Sequence, residues 1–195
     1  SKGSIIIFTD ADCTNSPNWI STMVSGFEEN TALISGPVAF TQSGKLFSRL
    51  QALEFAGLVL SGAGLIGNKT PMIANSANLA FRKKVFDEVG GYKDLMDLSS
   101  GDDELLMQKI AYKTDYDVKF CFEKDALVIT DPNKSIEEFN QQRKRWASKG
   151  LFYENKMIIV QLIFVFLFFV GLFAELLLGI FYDPRFLTIL AGSVL

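Results

Sequence analysis

Histidine is absent from this chain of 195 residues, and cysteine occurs only twice. Without histidine, imidazole general bases, Ser-His-Asp triads and histidine-ligated zinc are excluded, so acid–base chemistry falls mainly to carboxylates. Cys13 and Cys121 cannot form a disulfide framework, and a reducing compartment is the simpler interpretation. A net charge of −3 provides no basic field for general nucleic-acid binding, so nucleic acid is not an expected partner.

Charged residues are also nearly absent from one long segment near the C-terminal end. From Met157 to Phe181 the only polar side chains are those of Gln161 and Glu175. An apolar helix of this length can cross roughly 30 Å of hydrocarbon. A buried core helix is the less favoured alternative, because every face of the segment is apolar. A second apolar run begins at about residue 186, so we expect a membrane region over residues 151–195.

The distribution of basic residues predicts the orientation of this membrane region. Only one basic residue, Arg185, follows the first apolar run. Five basic residues precede it closely: Arg143, Lys144, Arg145, Lys149 and Lys156. By the positive-inside rule, the preceding domain is therefore cytoplasmic. The sequence predicts a multi-pass protein of the plasma (inner) membrane, with membrane lipid as a partner.

Residues 1–150 have the pattern of an α/β layer domain, because predicted strands alternate with predicted helices. We expect strands over residues 5–9, 31–40, 118–122 and 126–130. We expect helices from Ser16-Pro17 to about residue 30, over 45–60 and 77–89, from Asp102 or Asp103 to about 113, and from the capping box of Ser135 and Glu138 past Trp146. Glycines between residues 57 and 67 predict a loop, and residues 92–100 have the composition of a mobile loop.

The first group of candidate functional residues is Asp10-Ala11-Asp12, which directly follows the apolar strand Ile5–Thr9. Two carboxylates at this spacing can turn towards one hard cation or towards ligand hydroxyls. Open α/β sheets bind ligands outside the carboxyl ends of their strands. A solvated turn with an Asx cap explains the same residues, and this motif alone does not decide between the two.

The second group is Gly101-Asp102-Asp103-Glu104, three consecutive acids at a predicted helix start. Helix capping and the helix dipole would explain one or two of them. Adjacent acids raise one another's pKa, which suits a general base.

The third group is Gln142-Arg143-Lys144-Arg145-Trp146. On a helix, Gln142, Arg145 and Trp146 share one face, which offers an amide, a guanidinium suited to phosphate and an aromatic plane able to stack on a sugar. A basic, membrane-proximal amphipathic helix with an interfacial tryptophan is the alternative interpretation.

The order of these motifs resembles the membrane family-2 glycosyltransferases, which include cellulose synthase-like, hyaluronan synthase-like and ceramide glucosyltransferase-like enzymes. The resemblance runs from Ile5 to the membrane helix, and Gln-x-x-Arg-Trp is its most specific part. It also includes Ser76–Lys83 and Val89-Gly90-Gly91-Tyr92. It implies a partial GT-A (Rossmann-like) fold followed by C-terminal transmembrane helices. Because that family binds the nucleotide in a part that precedes the Asp-x-Asp strand, we expect this chain to be a fragment that binds donor poorly by itself.

The resemblance also implies inverting transfer of a sugar from a nucleotide-sugar donor, typically a UDP-sugar, to a glycan or lipid hydroxyl. Asp12 would be the ligand of Mg²⁺ or Mn²⁺, and Asp10 would orient donor hydroxyls. Asp103 would be the general base, with Asp102 as the alternative, since the family pair is more often Glu-Asp. Gln142 and Arg145 would hold the diphosphate and the acceptor, and Trp146 would stack beneath the acceptor sugar. Asn78 and Arg82 are weaker candidates on the acceptor side, where structural roles suit them equally.

Two other functions fit parts of the sequence. The segment from Ile5 to Thr14 resembles the Asp-x-Asp-x-Thr motif of haloacid dehalogenase-like phosphatases, in which the first Asp is the nucleophile. That alternative leaves Gln142–Trp146 and the membrane helix unexplained. A non-catalytic, membrane-anchored scaffold is the other alternative, and it predicts that Asp12, Asp103 and Arg145 do not converge in space.

Overall fold

A computed structural model describes residues 2–93, 101–148 and 156–194. The chain divides into two compact units, Ser1–Glu154 and Asn155–Leu195, whereas the sequence predicted a boundary after residue 150. The predicted loop at residues 92–100 and the predicted interfacial segment after residue 150 lie largely outside the described residues.

The first unit is a mixed α/β domain with two small sheets. Strands β1 (Ile5–Phe8), β5 (Leu79–Arg82), β3 (Thr31–Ser35) and β6 (Asp117–Phe120) form the first sheet in that order. Strands β2 (Thr14–Asn15), β7 (Val128–Thr130) and β4 (Val38–Phe40) form the second. Strand β5 is antiparallel to both β1 and β3, β3 is parallel to β6, and β7 is parallel to β4 and antiparallel to β2.

The described residues of this unit form five α-helices: α1 (Trp19–Ser25), α2 (Leu46–Gly67), α3 (Lys83–Glu88), α4 (Asp102–Lys113) and α5 (Ile136–Ser148). One buried cluster, which includes Trp19, Met23 and Phe55, also packs against Cys13 and Trp146. A second cluster, which includes Phe81 and Met107, packs under α3 and α4. The strand-and-helix alternation predicted from the sequence is therefore present, although the sheets are mixed rather than parallel.

The predicted strand over residues 31–40 is broken into β3 and β4 at Gly36-Pro37. The Gly36 amide donates to the Asn78 carbonyl at 2.9 Å, and a Cβ on Gly36 would lie only 2.4 Å from the Asn78 side-chain nitrogen. Proline has no amide hydrogen to continue a strand ladder. The close approach of Asn78 and the proline together end one strand and start the next.

The predicted glycine loop after residue 57 is wrong, because α2 continues to Gly67. Its buried side packs on the domain through Gly62, Ala63 and Ile66. A Cβ on Gly62 would lie 3.0 Å from the Ile73 carbonyl oxygen, so a glycine there permits close packing. Burial of the apolar neighbours outweighs a helix penalty of roughly 1 kcal/mol for each glycine.

The predicted helix over residues 77–89 is correct only in its second half. Residues Leu79–Arg82 instead form β5, since pairing with β1 and β3 buries Leu79, Ala80 and Phe81. The predicted C-terminal signal is confirmed: Gly90 and Gly91 have positive φ angles, and the Gly91 amide donates to the Phe86 carbonyl at 2.8 Å. Tertiary strand pairing therefore overrides the local helical pattern.

The predicted start of α5 is confirmed, since the Glu138 amide donates to the Ser135 hydroxyl at 3.2 Å. The carboxylate of Glu138 accepts from the Lys134 amide at 2.8 Å. Helix α1 begins at Trp19, somewhat later than predicted, although the Ser16 carbonyl accepts from the Trp19 amide at 3.0 Å.

The second unit contains α6 (Lys156–Phe181) and α7 (Arg185–Val194). By length and composition alone, two helices of the described residues could cross a membrane: Leu46–Gly67 in the first unit and Ile163–Phe181 in the second. The turn after α6 is closed by Asp183, whose carboxylate accepts from the amide and guanidinium of Arg185, each at 2.9 Å.

Candidate active site

One edge of the first sheet gathers the ends of four strands. Phe8 and Ser35 are both paired with Leu79, and Ser35 is also paired with Phe120. The carboxyl ends of β1, β3 and β6 therefore lie at the same edge as the amino end of β5. This is the edge at which α/β sheets bind ligands.

The acidic turn that follows β1 lies at this edge. The Cys13 amide donates to the Asp10 carbonyl at 3.1 Å, which folds residues 10–13 into a tight turn. Carboxylate oxygens of Asp10 and Asp12 and the thiol of Cys13 all lie within 4.8 Å of one another. The Thr130 hydroxyl donates to Asp12 at 3.4 Å, which connects this turn to the end of β7.

Two titratable groups in this turn have shifted pKa values. The pKa of Asp10 is raised first by burial and then by the negative charge of Asp12. The pKa of the Cys13 thiol is raised mainly by burial, so the thiol stays protonated at neutral pH. Burial and the neighbouring acidic side chain thus both disfavour the charged forms of Asp10 and Cys13.

The residues of this turn fit a hard divalent cation. Asp10 and Asp12 supply carboxylate oxygens, the ligands that Mg²⁺ and Mn²⁺ prefer, whereas a protonated thiol suits them poorly. In the part of the chain that the structure describes, the side-chain oxygen of Asn15 is buried and makes no hydrogen bond. The Asn15 nitrogen donates to the Thr9 hydroxyl at 3.4 Å, so this side chain connects the residues on either side of the turn.

The predicted base, Asp103, is connected to the same sheet edge. Its carboxylate accepts from the Ser76 amide at 2.9 Å and from the Glu104 amide at 2.8 Å. Ser76 begins the short 3-10 helix Ser76–Asn78, which leads directly into β5, the partner of β1. Two backbone amides thus fix the orientation of the Asp103 carboxylate. Asp102 is exposed at the first position of α4, after Gly101 with φ 100°.

Tyr92 lies beside these two acids, and the sequence did not single it out as a site residue. Its pKa is raised to about 12, first by burial and then by the charges of Asp102 and Asp103. The phenol is therefore a neutral hydrogen-bond donor at pH 7.

Gln142 belongs to a hydrogen-bonded network between α2, α5 and the loop after β7. Its oxygen accepts from the Asn133 side chain at 2.9 Å and from Arg143 at 2.8 Å. A guanidinium only donates, so the atom that faces it must be the amide oxygen. Gln51 of α2 in turn exchanges hydrogen bonds with the backbone of Asn133 at 3.0 and 3.1 Å. The Gln142 nitrogen makes no hydrogen bond to other described residues and remains able to donate to a ligand.

Arg143 links α5 to α2. Its guanidinium forms a bidentate ion pair with Glu54 of α2. The same guanidinium lies 4.3 Å from the ring centres of both Phe139 and Trp146. Trp146 is half-buried and packs against the cluster that contains Phe55. Much of the predicted stacking surface of Trp146 is therefore covered by the protein. Arg145, in contrast, is exposed to solvent.

Asn78 and Arg82 point into the protein rather than towards a ligand. Asn78 is 0% exposed, accepts from the Trp19 indole at 3.0 Å and donates to the carbonyls of Pro37 and Ala126 at 2.8 and 2.7 Å. Arg82 donates to the carbonyls of Thr31 and Glu28 at 2.7 and 2.8 Å. Of the two roles left open for each residue, the geometry favours the structural one, and the acceptor-side assignment of Asn78 has no support from its position.

Several residues around the site were missed by sequence reasoning. Cys13 directly follows the Asp-x-Asp motif, and its proximity was readable from the sequence alone. Ser76 and Tyr92 lie in segments that the family resemblance includes, but no pattern assigned them to the acids. Only the tertiary structure could reveal their proximity to Asp103, or that of Thr130 to Asp12. The Glu54–Arg143 ion pair was missed for the same reason, because the two residues are 89 positions apart in the sequence.

The comparisons with known proteins agree with the class of enzyme that the motifs predicted. The chain is a glycosyltransferase. It belongs to glycosyl transferase family 21, whose family model matches residues 1–192. No curated protein gave a match to the chain.

This match bears on the predictions made from the sequence. The predicted transfer of a sugar, with a nucleotide-sugar donor and an acceptor as partners, is confirmed at the level of the family. The assignment to family 2 is not confirmed, because the matching family is 21. The phosphatase and scaffold alternatives lose their support, since neither explains a glycosyltransferase match over almost the whole chain.

Proposed function

We propose that the intact protein catalyses inverting, metal-dependent transfer of a sugar from a nucleotide-sugar donor, with a UDP-sugar as the first candidate, to a hydroxyl of a lipid or glycan acceptor. The observation that supports this most directly is the position of the two acidic groups. The Asp10–Asp12 turn and the Ser76 amide that holds Asp103 lie at the same edge of the first sheet.

Asp12 is the proposed ligand for Mg²⁺ or Mn²⁺, and Asp10 lies close enough to assist it or to orient donor hydroxyls. When bound, the ion would neutralise the charge that develops on the leaving diphosphate. The closeness of the two carboxylates supports this assignment, because a divalent cation would offset the repulsion between them. The pKa of Asp10 is raised first by burial and then by the charge of Asp12.

Asp103 is the proposed general base, because the acceptor hydroxyl must lose a proton as it attacks and the chain has no histidine. Its two backbone hydrogen bonds hold the carboxylate in one orientation, which suits a group that must meet a hydroxyl at a fixed distance. Asp102 is the alternative base. It is exposed and lies next to Asp103 at the start of α4.

Arg145 and Gln142 are the proposed contacts to the diphosphate and the acceptor. Arg145 presents a guanidinium at the surface of α5, and Gln142 retains an amide nitrogen that can donate. Trp146 would contact the acceptor sugar with the part of its ring that remains exposed. We further propose that the catalytic domain lies at the cytoplasmic face of the plasma (inner) membrane, with the apolar helix Ile163–Phe181 as a span of a multi-pass protein.

The base assignment is tested by Asp103→Asn in the intact protein. We expect turnover to fall about 10²- to 10⁴-fold while donor affinity changes little, because the acid acts on the acceptor proton. Asp102→Asn is the paired variant, and Asp87→Asn, an exposed acid of α3, is the control for loss of charge. Unfolding midpoints exclude a general loss of structure. Near-normal turnover of Asp103→Asn would refute the assignment.

The metal role is tested by titrating Mn²⁺ into the protein and into Asp12→Asn, with binding followed by electron paramagnetic resonance. We expect the variant to bind Mn²⁺ at least about tenfold more weakly. Activity that survives complete chelation of divalent ions would contradict the proposal.

A further inference from the structure

Helix α2 is apolar on the side that faces solvent as well as on the side that faces the domain. Its buried side packs through Phe55, Ala63 and Ile66. On the opposite side four leucines are exposed: Leu46 by 70%, Leu50 by 56%, Leu53 by 73% and Leu60 by 66%. A surface helix of a soluble protein normally has a polar outer face. The outer face of α2 therefore needs an apolar environment.

The exposed leucines form one continuous stripe. Positions 46, 50, 53, 57, 60, 64 and 67 follow one another at alternating intervals of four and three, which places them on one face of a helix. Glycines occupy the positions at 57, 64 and 67, and no described atom lies within 4 Å of where their Cβ would be. No charged residue occurs between Phe55 and Gly67. An exposed apolar strip of this length marks an interaction surface.

The stripe does not belong to a helix that crosses a membrane, although its length would permit this. Polar contacts tie the first half of α2 to the domain, and Gly62, Ala63 and Ile66 are buried in its second half. Gln51 is buried and bonded to Asn133, and Glu54 is paired with Arg143. A spanning helix could not keep these contacts with soluble elements on one side, so the helix must lie flat on any membrane that it touches.

Basic residues border the stripe and define the kind of surface that it fits. Lys45 and Arg49 lie at its start, and Lys69 follows its end. Helix α5 runs alongside α2 in the same direction, because Phe47 contacts Phe139 and Phe55 contacts Trp146. Lys144, which is exposed, therefore lies on the helix next to the middle of α2. Basic flanks around an apolar stripe complement an anionic lipid surface.

We propose that the exposed face of α2 docks on an anionic lipid bilayer, with the helix in the plane of the interface and its leucines at the boundary between headgroups and acyl chains. The same chain carries the apolar helix Ile163–Phe181, so a bilayer is the surface most available to the domain. Docking by α2 does not depend on sugar transfer, and its test requires no turnover.

The test uses the full chain in vesicles of phosphatidylcholine and phosphatidylglycerol. Cys13→Ser removes the more accessible thiol, and a single fluorophore is attached at Leu53→Cys or, as the matched control, at the exposed position Lys84→Cys on α3. We expect brominated lipid to quench the label at position 53 and aqueous iodide to quench the label at position 84. Leu50→Ser in the labelled chain should lower the ratio of lipid to aqueous quenching about tenfold. Lys45→Gln with Arg49→Gln should lower it about thirtyfold.

A second measurement leaves the chain unaltered. A photoactivatable phospholipid should crosslink within residues 46–60, and replacing phosphatidylglycerol by phosphatidylcholine should weaken that crosslink. Three results would overturn the proposal: equal iodide quenching at positions 53 and 84, a lipid-independent disulfide crosslink between two Leu53→Cys chains that reports a second copy, or a label at position 53 shielded from both quenchers by another protein segment.

Discussion

Replacing Asn78 decides between a structural and an acceptor-binding role for this residue. In Asn78→Leu, two buried groups lose their partner: the Trp19 indole N–H and the Ala126 carbonyl. The Pro37 carbonyl loses one of its two partners and keeps the Val128 amide at 3.0 Å. An unsatisfied buried polar group costs about 1–3 kcal/mol, so two of them lower the free energy of unfolding by about 2–6 kcal/mol. This loss is a large part of the stability of a typical domain, about 5–15 kcal/mol.

Asn78→Asp provides a sharper version of the same test. One carboxylate oxygen of this Asp replaces the Asn78 side-chain oxygen and still accepts from the Trp19 indole. The other replaces the Asn78 nitrogen and faces the carbonyl oxygens of Pro37 and Ala126, which repel a carboxylate. Protonation would restore one donor, so the folded-state pKa of this Asp is expected to exceed its unfolded value. The stability of Asn78→Asp is then greatest below the unfolded pKa and falls as the pH rises through the folded one. The deficit relative to the unaltered chain should therefore shrink in acid, which a change of volume alone would not produce.

The assay is urea unfolding of the full chain in detergent, followed by tryptophan fluorescence. Both tryptophans, Trp19 and Trp146, lie in the first unit, so the signal reports that unit. Asn140→Leu, at an exposed position of α5, is the matched control and should change stability by less than about 0.5 kcal/mol. If Asn78→Leu matched this control in stability yet lowered turnover, Asn78 would be an acceptor ligand and the structural role would be refuted.

Three further predictions follow from the packing of the first unit. Arg143→Lys and Glu54→Gln should each destabilise the first unit by about 1 kcal/mol, a modest value because both side chains are partly exposed. A double-mutant cycle in urea should show that the two effects are not additive. The unaltered chain should lose stability between pH 10 and about 12, where Tyr92 ionises in the unfolded chain but not in the folded one, and Tyr92→Phe should reduce this loss. A urea midpoint that falls equally in both chains would contradict this prediction. Gly57→Ala should raise the thermal midpoint because its Cβ meets open space, whereas Gly62→Ala should lower it by crowding the Ile73 carbonyl, and a rise in both would count against close packing at α2.

The candidate site shows where sequence reasoning succeeds and where it fails. Asp10 and Asp12 are two residues apart after an apolar strand, so their proximity follows from local geometry. The proximity of Gln142, Arg145 and Trp146 on one helix face likewise follows from local geometry, because α5 forms where the sequence predicts it. The sequence could not show that Arg143, between them, covers the Trp146 ring, because this depends on Glu54 in another helix.

The errors in the fold have a common physical cause. The helical pattern over residues 77–89 and the glycines after residue 57 both gave local signals that long-range packing overrode. Strand β5 forms because two other strands bury its residues on either side. Helix α2 continues because Gly62 permits close contact with Ile73. Local propensities amount to about 1 kcal/mol or less per residue, whereas burial of a large side chain contributes about 1.5–3 kcal/mol.

The sequence by itself determined the class of enzyme, since the order of its acidic and Gln-x-x-Arg-Trp motifs is a one-dimensional property. It also directed the search for a general base in this chain to its carboxylates, because the chain contains no histidine. The tertiary structure decided which polar residues are engaged within the protein: it buried Asn78, paired Arg143 with Glu54 and attached Asp103 to the Ser76 amide that precedes β5. It also left the leucines of α2 exposed. Such choices depend on contacts between residues far apart in the chain, and no local pattern encodes them.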